Sequence, residues 1–162
     1  MSTLAGPMVA PADERHLEAL MAVMRDSFAA SFGEAWSTLQ LAGTMALESS
    51  FARQAIDARG TVTGFTLCRS AGPEVELLLI AVRPQERGQG VGRLLIESAC
   101  RDAWRRGASE VFLEVRENNR PARALYTAAG FVDIGRRANY YAGPDGLRFA
   151  AVTMRRQLDD LP

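Results

Sequence analysis

The sequence predicts a single α/β domain over residues 1–162, built on a mixed β-sheet with helices on both faces. Three observations lead to this fold class. The chain has 162 residues, a usual length for one domain. Apolar residues make up 48% of it, enough for a hydrophobic core. Segments with strand and helix patterns follow one another in the approximate order β-α-α-β-β-β-α-β-α-β-β, which is typical of a mixed sheet.

The N-terminal segment predicts a short strand followed by two helices. Apolar residues near Met8 indicate the strand. A helix is predicted from Asp13, a good N-cap residue, to about residue 30, because apolar side chains recur there at helical spacing. The pattern breaks at "SFGEAWS", and Ser37 is predicted to cap a second helix that ends near residue 48.

Three β-strands are predicted in the middle of the chain. The segments "FARQAID" and "TVTGFTLCRS" read as two strands joined by a turn at residues 58–60. The third strand, "EVELLLIAV", is almost continuously apolar, which is typical of a strand that is buried on both faces. It is therefore predicted to lie at the centre of the sheet.

Helices and strands alternate in the last part of the chain. A helix is predicted from Val91 to about Gly107, a suitable residue just after a helix C-terminus. The strand "SEVFLEVRE" follows. The segment "NNRPARALYTAAG" predicts a helix with Asn119 as N-cap, Pro121 in the first turn and Gly130 after its end. "FVDIGRR" and "LRFAAVTMRRQL" are predicted to be the last strands, on either side of the loop "YYAGPDG".

The residue counts argue against several classes of chemistry. Cys68 and Cys100 are too few for a disulfide framework and, with one histidine, lack the spacing of a zinc site, so no metal is expected. The histidine, His16, is predicted to be a solvated side chain, so a Ser–His or Cys–His pair is not expected. All nineteen cationic residues are arginines, which excludes a lysine Schiff base and a P-loop lysine.

The apolar and charge patterns predict a cytoplasmic protein. No apolar run approaches the ~20 residues that cross a bilayer, and the N-terminus lacks the features of a signal peptide. The net charge is zero, which argues against non-specific binding of nucleic acid. Residues 1–80 hold five arginines and nine acidic residues, whereas residues 81–162 hold fourteen and ten, so an anionic ligand would favour the second half.

The segment "RGQGVG", residues 87–92, joins the central strand to the next helix. Its glycines do not fit the dinucleotide pattern G-x-G-x-x-G, and the absent lysine excludes a P-loop. Free N–H groups at a helix N-terminus, unshielded by glycine and flanked by Arg87 and Arg93, favour an anion. A turn that only connects strand and helix is the structural alternative.

This segment and a second block resemble a known family. "RGQGVG" resembles the acyl-CoA signature of the GCN5-related N-acetyltransferases (the GNAT superfamily), and "FLEVRENNRPARALYTAAGF" with "RRANYY" resembles its RimI subfamily. The resemblance is strongest over residues 74–141. It implies the GNAT fold, acetyl-CoA as the cofactor, and acetyl transfer to a protein or peptide N-terminal α-amine, as in a ribosomal protein. Acetylation of a small amine and a non-catalytic acyl-CoA-binding module remain alternatives, and a monomer or weak homodimer is expected.

The resemblance also implies which residues contact acetyl-CoA. The backbone at the splayed end of the central strand is expected to pair with the pantetheine arm, and the glycine segment is expected to wrap the pyrophosphate. Asn119 is expected to contact the cofactor from across the cleft. The full set of expected cofactor contacts is Ile80, Ala81, Val82, Arg87, Gly88, Gln89, Gly90, Val91, Gly92, Arg93 and Asn119.

The catalytic residues follow from the same resemblance, which implies Glu114 as general base and Tyr126 as general acid in a direct transfer within a ternary complex. Amide formation from a thioester needs a neutral amine and a proton for the departing thiolate. An α-amine has a pKa of ~7.7–8, so a carboxylate is adequate as base. Glu76 is the rival base or a substrate-orienting residue, and Tyr140 and Tyr141 are expected to line the peptide cleft. From the pattern alone, Glu114 is equally a charge on a half-exposed strand face, paired with Arg116 or another arginine, and Tyr126 is equally a core residue.

Overall fold

The computed structural model describes residues 5–28 and 33–161. Within them, the strands are β1 (Met8–Ala12), β2 (Ser50–Ile56), β3 (Val62–Ala71), β4 (Glu74–Val82), β5 (Glu110–Arg116), β6 (Val132–Ala142) and β7 (Arg148–Gln157). The α-helices are α1 (Leu17–Ser27), α2 (Thr38–Met45), α3 (Val91–Arg105) and α4 (Arg120–Ala128). The strands form one sheet in the order β1-β2-β3-β4-β5-β7-β6. The β4–β5 pair is parallel and the other pairs are antiparallel, so the predicted mixed α/β fold is confirmed.

The helices cover both faces of the sheet, as predicted. Leu67 and Cys68 are consecutive in β3, so their side chains point to opposite faces. Leu67 packs in a core with Leu20 and other α1 residues, whereas Cys68 packs in a second core with Ile96 and other α3 residues. Helices α1 and α2 therefore lie on one face, and α3 and α4 lie on the other. No helix in the described part of the chain is long and apolar enough to span a membrane.

The N-terminal helices begin at caps that the sequence predicts in part. Ser37 caps α2 in a capping box with Gln40, as predicted, although the helix ends at Met45. Asp13 caps a 3-10 turn, Glu14–His16, that leads into α1. The side chain of His16 stays 33% exposed in this first turn, and its Nδ1 also accepts a hydrogen bond from the Asp13 backbone N–H at 3.0 Å, which completes the cap. Residues 29 and 30 of the predicted helix lie outside the described residues.

Strand β4 contains a bulge that the apolar pattern does not reveal. Leu77 lies opposite Cys68 of β3 and Leu79 lies opposite Leu67, so Leu78 is an extra residue. Leu77 consequently packs on the α3 side, and Leu79 packs on the α1 side. The bulge reverses the alternation of side chains just before the part of β4 that is expected to meet the cofactor.

The parallel pair β4–β5 separates after three residues. Pairing joins residues 74–76 of β4 to residues 110–112 of β5 and stops there. Beyond it, β4 continues along β3 only, and β5 continues along β7 only. A cleft therefore opens between residues 77–82 and residues 113–116, in the middle of the sheet, with an unpaired strand edge on each side.

The last hairpin differs from the sequence prediction. Strand β6 runs to Ala142, so Tyr140 and Tyr141 belong to it and not to the predicted loop. Pairing with β7 is interrupted between Arg137 and Tyr141, where Asn139 has φ of 56°. This irregular segment hides the strand from a periodicity argument, because the alternation of side chains is broken within it.

A close backbone approach at Gly64 ties β3 to the end of β4. A Cβ atom there would lie 2.7 Å from the carbonyl oxygen of Ala81. We expect Gly64→Ala to lower the free energy of unfolding by about 1–3 kcal/mol in urea titrations, because a paired backbone must shift. Gly43→Ala in α2, which has open space around it, is expected to leave stability equal or higher. Equal stabilities of the Gly64→Ala variant and the unmutated protein would contradict this expectation.

Candidate active site

The glycine segment forms an exposed loop between β4 and α3. A 3-10 turn, Pro84–Glu86, follows β4, and Gly90 is the N-cap of α3. The first N–H groups of an α-helix have no partner within it. Since glycine supplies no capping side chain, these donors remain available, and residues 87–90 are exposed. The loop therefore has the geometry of an anion site at a helix N-terminus.

The three glycines of the loop serve two different purposes. Gly88 and Gly90 have φ of 76° and 85°, which other residues adopt only with strain. Gly92 has an ordinary helical backbone, but a Cβ atom there would lie 2.9 Å from Leu125 Cδ2. The first two glycines therefore shape the loop, and the third allows α3 to approach α4 closely.

The polar side chains of the loop have partners within the protein. Arg87 donates to the carbonyl oxygens of Val82 and Ser27 at 3.1 and 2.9 Å. Arg93 pairs with Glu97 at 3.3 Å, and the amide of Gln89 donates to the Gln85 carbonyl at 3.3 Å. These contacts brace the loop, so a bound phosphate would be held mainly by backbone N–H groups, with the Arg87 charge nearby.

The other predicted cofactor contacts lie on both sides of the cleft. Ile80 and Val82 pack against a small buried cluster that contains Val91, and Ala81 is buried on the α1 side. Their backbones belong to the part of β4 that has left β5. Across the cleft, Asn119 caps α4 by accepting a hydrogen bond from the Ala122 N–H at 3.3 Å. Contact of these residues with acetyl-CoA stays a prediction.

Glu114 and Glu76 lie on the same face of the sheet. Leu113 and Val115 of β5 are buried in the α3 core, so Glu114 between them points to the α1 face. Glu76 is the register partner of Phe112, which shares the face of Glu114. Both rival carboxylates therefore face the same space, one from each strand that borders the cleft.

Each of these carboxylates contacts an arginine. Oε2 of Glu114 lies 3.8 Å from an Arg137 nitrogen, and Glu76 accepts a hydrogen bond from Arg69 at 3.1 Å. Arg137 lies on β6 and contacts Glu114 of β5 across the strand between them, β7. The β7 residues on this face, Ala151 and Thr153, have short side chains that leave room for the contact. The looser of the two contacts belongs to Glu114, and its side chain remains 30% exposed.

Tyr126 is buried in the core that α4 forms with the sheet. Its ring packs against Phe131 with centroids 6.0 Å apart. Burial, with smaller contributions from the charge of Glu34 and from Tyr141, raises the pKa of this phenol above its ordinary value of 10.0. Tyr126 is thus a core residue that keeps its proton, and the packing and general-acid interpretations are compatible.

Tyr140 and Tyr141 border the Glu114 side of the cleft. Their rings meet edge to face at 5.2 Å, and Arg137 stacks on Tyr140 at 4.5 Å. Burial, followed by the charges of Glu114 and Glu34, raises the pKa of Tyr141 to about 12. The structure therefore places both tyrosines near Glu114, on an element that the sequence suggests is a loop.

Glu34, which the sequence patterns do not single out, lies close to these residues through Arg116, which pairs with it and not with Glu114. Arg116 Nε donates to Glu34 Oε1 at 2.6 Å, and the two residues are 82 positions apart. Glu34 lies in "SFGEAWS", where a break in helical periodicity was the only signal. No local pattern connects such distant residues.

Two surface cavities lie away from the cleft. One, of about 510 Å³, is bordered by Glu97, Gly130 and Arg156. The other, of about 460 Å³, is bordered by Phe51, Arg53 and Asp102. Glu114, Glu76 and Tyr126 line neither cavity, whereas Arg93 of the glycine segment borders the first one.

The positive φ of Gly90 leads to a testable expectation. We expect Gly90→Ala to raise the Kd of acetyl-CoA about tenfold by calorimetry, because ~1–2 kcal/mol of backbone strain distorts the loop. Gly107→Ala at the other end of α3 is the matched control, since Gly107 has φ of 86° and equally open surroundings. Both variants are expected to lose similar stability, and only Gly90→Ala to lose affinity. Equal Kd values for the two variants would remove the loop from the binding site.

The chain matches a family model and several known proteins. The model, described as the acetyltransferase (GNAT) family, matches residues 17–131. The chain is similar to a [ribosomal protein bS18]-alanine N-acetyltransferase of Haemophilus ducreyi, with 38% identity over 93 residues, or 57% of this chain and 64% of the relative. It is also similar to the N-alpha-acetyltransferase RimI of Mycobacterium tuberculosis, with 39% identity over 107 residues, 62% of this chain and 63% of the relative. The matches thus span less than two thirds of these relatives.

A crystal structure extends the similarity to almost the whole chain. The ribosomal-protein-S18-alanine N-acetyltransferase from Escherichia coli superposes with a TM-score of 0.85 and 30% identity. The superposition covers 94% of this chain and 94% of that chain.

Proposed function

This chain belongs to the acetyltransferase (GNAT) family, and on that premise we propose that it transfers an acetyl group from acetyl-CoA to the N-terminal α-amine of a protein. A ribosomal protein such as S18 is the proposed acceptor, because relatives with that activity match this chain. We also propose that residues 1–162 form one acetyltransferase domain and work in the cytoplasm. The observation that carries the proposal is the cleft between β4 and β5, which has the glycine loop after its β4 edge and Glu114 on its β5 edge.

The residues present fit acetyl-CoA. The unpaired edge of β4 over residues 77–82 offers backbone groups to the amides of a pantetheine arm, and the N-terminus of α3 offers N–H groups to a pyrophosphate. When bound, acetyl-CoA supplies an activated acetyl thioester. Asn119 and the Arg87 charge are proposed to complete the binding site.

Glu114 and Tyr126 are proposed to move the two protons of the reaction. The Glu114 carboxylate accepts a proton from the acceptor ammonium, directly or through a water, so that the neutral amine attacks. The Tyr126 hydroxyl gives its proton to the departing sulfur, and its raised pKa means that the phenol is protonated at neutral pH before the reaction. The proton that the nitrogen loses as the amide forms then restores the phenol, and Glu114 releases its proton to water. Glu76, held by Arg69, is proposed to orient the acceptor.

The cysteines support direct transfer without an acetylated enzyme. Cys68 and Cys100 are both about 1% exposed. Burial raises the pKa of both thiols, that of Cys100 to about 11. Thiolates are the nucleophilic form, so neither side chain suits acyl transfer. In the proposed mechanism, the acceptor amine therefore attacks the acetyl thioester directly, while acetyl-CoA and the acceptor are bound to the enzyme together.

The charge of the acceptor face favours a singly charged amine over a polyamine. Three carboxylates lie on the acceptor face near the cleft, and each contacts an arginine. The pairs are Glu34–Arg116, Glu76–Arg69 and Glu114–Arg137. A polycation needs unpaired carboxylates for several ammonium groups. Tyr140 and Tyr141 form a partly exposed aromatic surface beside Glu114, and this surface is suited instead to contact with the side chains of an extended peptide.

The decisive experiment measures thiol release from acetyl-CoA with a panel of acceptors. The panel comprises a peptide with a free N-terminal alanine and one internal lysine, the same peptide with a blocked N-terminus, spermidine and free amino acids. Among these acceptors, we expect turnover only with the peptide that has a free N-terminus. We expect mass spectrometry to locate the acetyl group on its α-nitrogen. Turnover of a small amine without the peptide would contradict the proposal, and tight binding of acetyl-CoA without any turnover would favour a binding module.

A further inference from the structure

The described segment 33–37 precedes α2, has no regular secondary structure and contacts the end of β5 through Glu34. We propose that the Glu34–Arg116 ion pair latches this segment over the acceptor side of the cleft and so sets the affinity for the acceptor. Glu34 is then a positioning residue. The proposal rests on the proposed function, because it concerns the acceptor of that reaction.

The contact has the geometry of a strong ion pair. Arg116 Nε donates to Glu34 Oε1 at 2.6 Å, and the side chains of Arg116 and Glu34 are only 12% and 20% exposed. A second nitrogen of Arg116 donates to Asn118 Oδ1 at 2.6 Å, which holds the guanidinium in place. Partial burial makes such a contact worth more than an exposed ion pair.

The latch lies next to the proposed catalytic residues. Arg116 is two positions after Glu114 in β5 and therefore shares its face of the sheet. The charge of Glu34 contributes, after burial, to the raised pKa of both Tyr126 and Tyr141. Together with the Arg116 contact, this is consistent with a segment that borders the proposed acceptor site.

The far end of the segment has its own anchors. Trp36 packs against the α1 core, and Ser37 and Gln40 form the capping box of α2 with hydrogen bonds of 3.1 and 2.8 Å. These contacts do not involve Glu34. Its removal is therefore expected to release the β5 end of the segment while α2 stays folded.

The chain offers a matched ion pair away from the cleft. Arg53 Nε donates to Asp102 Oδ2 at 2.6 Å, with side chains 22% and 14% exposed. The two residues join β2 to α3 and are 49 positions apart. Asp102→Ala therefore removes a similar contact from a place that the proposal does not involve.

The test compares Glu34→Ala with Asp102→Ala in steady-state kinetics. We expect Glu34→Ala to raise the KM of the acceptor peptide about tenfold, a factor equal to ~1.4 kcal/mol, with kcat and the KM of acetyl-CoA changed less than about twofold. Asp102→Ala is expected to change none of these constants. If Glu34→Ala does not fold, Glu34→Gln keeps the shape and removes the charge. An unchanged acceptor KM in a folded, active variant would overturn the proposal.

Hydrogen exchange separates failure of the latch from failure of the proposed function. Amides of residues 33–37 are expected to exchange about tenfold faster in Glu34→Ala than in the unmutated protein, and at an unchanged rate in Asp102→Ala. This measurement needs no substrate. Absence of turnover by the unmutated protein would refute the proposed function, whereas unchanged exchange in Glu34→Ala would refute the latch.

Discussion

Glu114→Gln is expected to reduce kcat by on the order of 10²–10⁴ near pH 7, the usual contribution of a general base. Glutamine keeps the shape of the side chain and cannot accept the proton. The loss is expected to be largest at low pH, where an α-amine of pKa ~7.7–8 is protonated, and smaller near pH 9, where it is already neutral. Initial rates of thiol release from pH 6 to pH 9 measure the effect.

Glu76→Gln is the matched control for this expectation. Glu76 carries the same group on the same face of the sheet, but Arg69 holds it at 3.1 Å, whereas Arg137 lies 3.8 Å from Glu114. We expect Glu76→Gln to raise the acceptor KM and to leave the pH profile of kcat unchanged. If Glu76→Gln alters the profile and Glu114→Gln does not, Glu76 is the base.

Tyr126→Phe is expected to lower kcat by on the order of 10², the lower end of the range for loss of a general acid, while the Kd of acetyl-CoA stays nearly unchanged. Phenylalanine preserves the packing against Phe131 and removes only the hydroxyl. Because burial raises the pKa of Tyr126 above 10.0, the phenol stays protonated throughout the assay range. Its ionisation is therefore not expected to cause an alkaline loss of activity below about pH 10.

The thermal midpoint of Tyr126→Phe decides between the two roles of this residue. A folded variant with an unchanged midpoint and reduced kcat supports the acid. A variant that loses stability with kcat unchanged in the folded fraction shows that Tyr126 is only a core residue. Titration of acetyl-CoA by calorimetry keeps cofactor binding separate from both outcomes.

Much of the fold was predictable because its signals are local. Helical spacing, caps such as Ser37 and Asn119, and the apolar strand before the glycine loop depend on residues within a few positions of one another. The order of helices and strands, the mixed sheet and the GNAT resemblance follow from such signals. The extent of β6 could not be predicted from such local signals, because its pairing with β7 is interrupted around Asn139.

The candidate site was predictable only where a motif spans it. The glycine loop, Glu114 and Tyr126 lie within two sequence blocks; in the structure the loop and Glu114 border the cleft, and Tyr126 is buried in the core beneath α4. Glu34 comes from a segment without a pattern, and its partner Arg116 is 82 positions away. A contact of this kind depends on how the chain folds back, which composition and periodicity do not encode.

The sequence alone predicted the family from two motif blocks, and that resemblance implied the cofactor and the two candidate proton-transfer residues, because the motifs depend on residue types at short spacing. The tertiary structure decided three further matters. It showed where β4 and β5 separate, how the bulge at Leu78 turns the end of β4, and which arginine contacts each carboxylate. The physical reason is that strand pairing and ion pairs join residues that are distant in the chain, so their partners exist only after the sheet has formed.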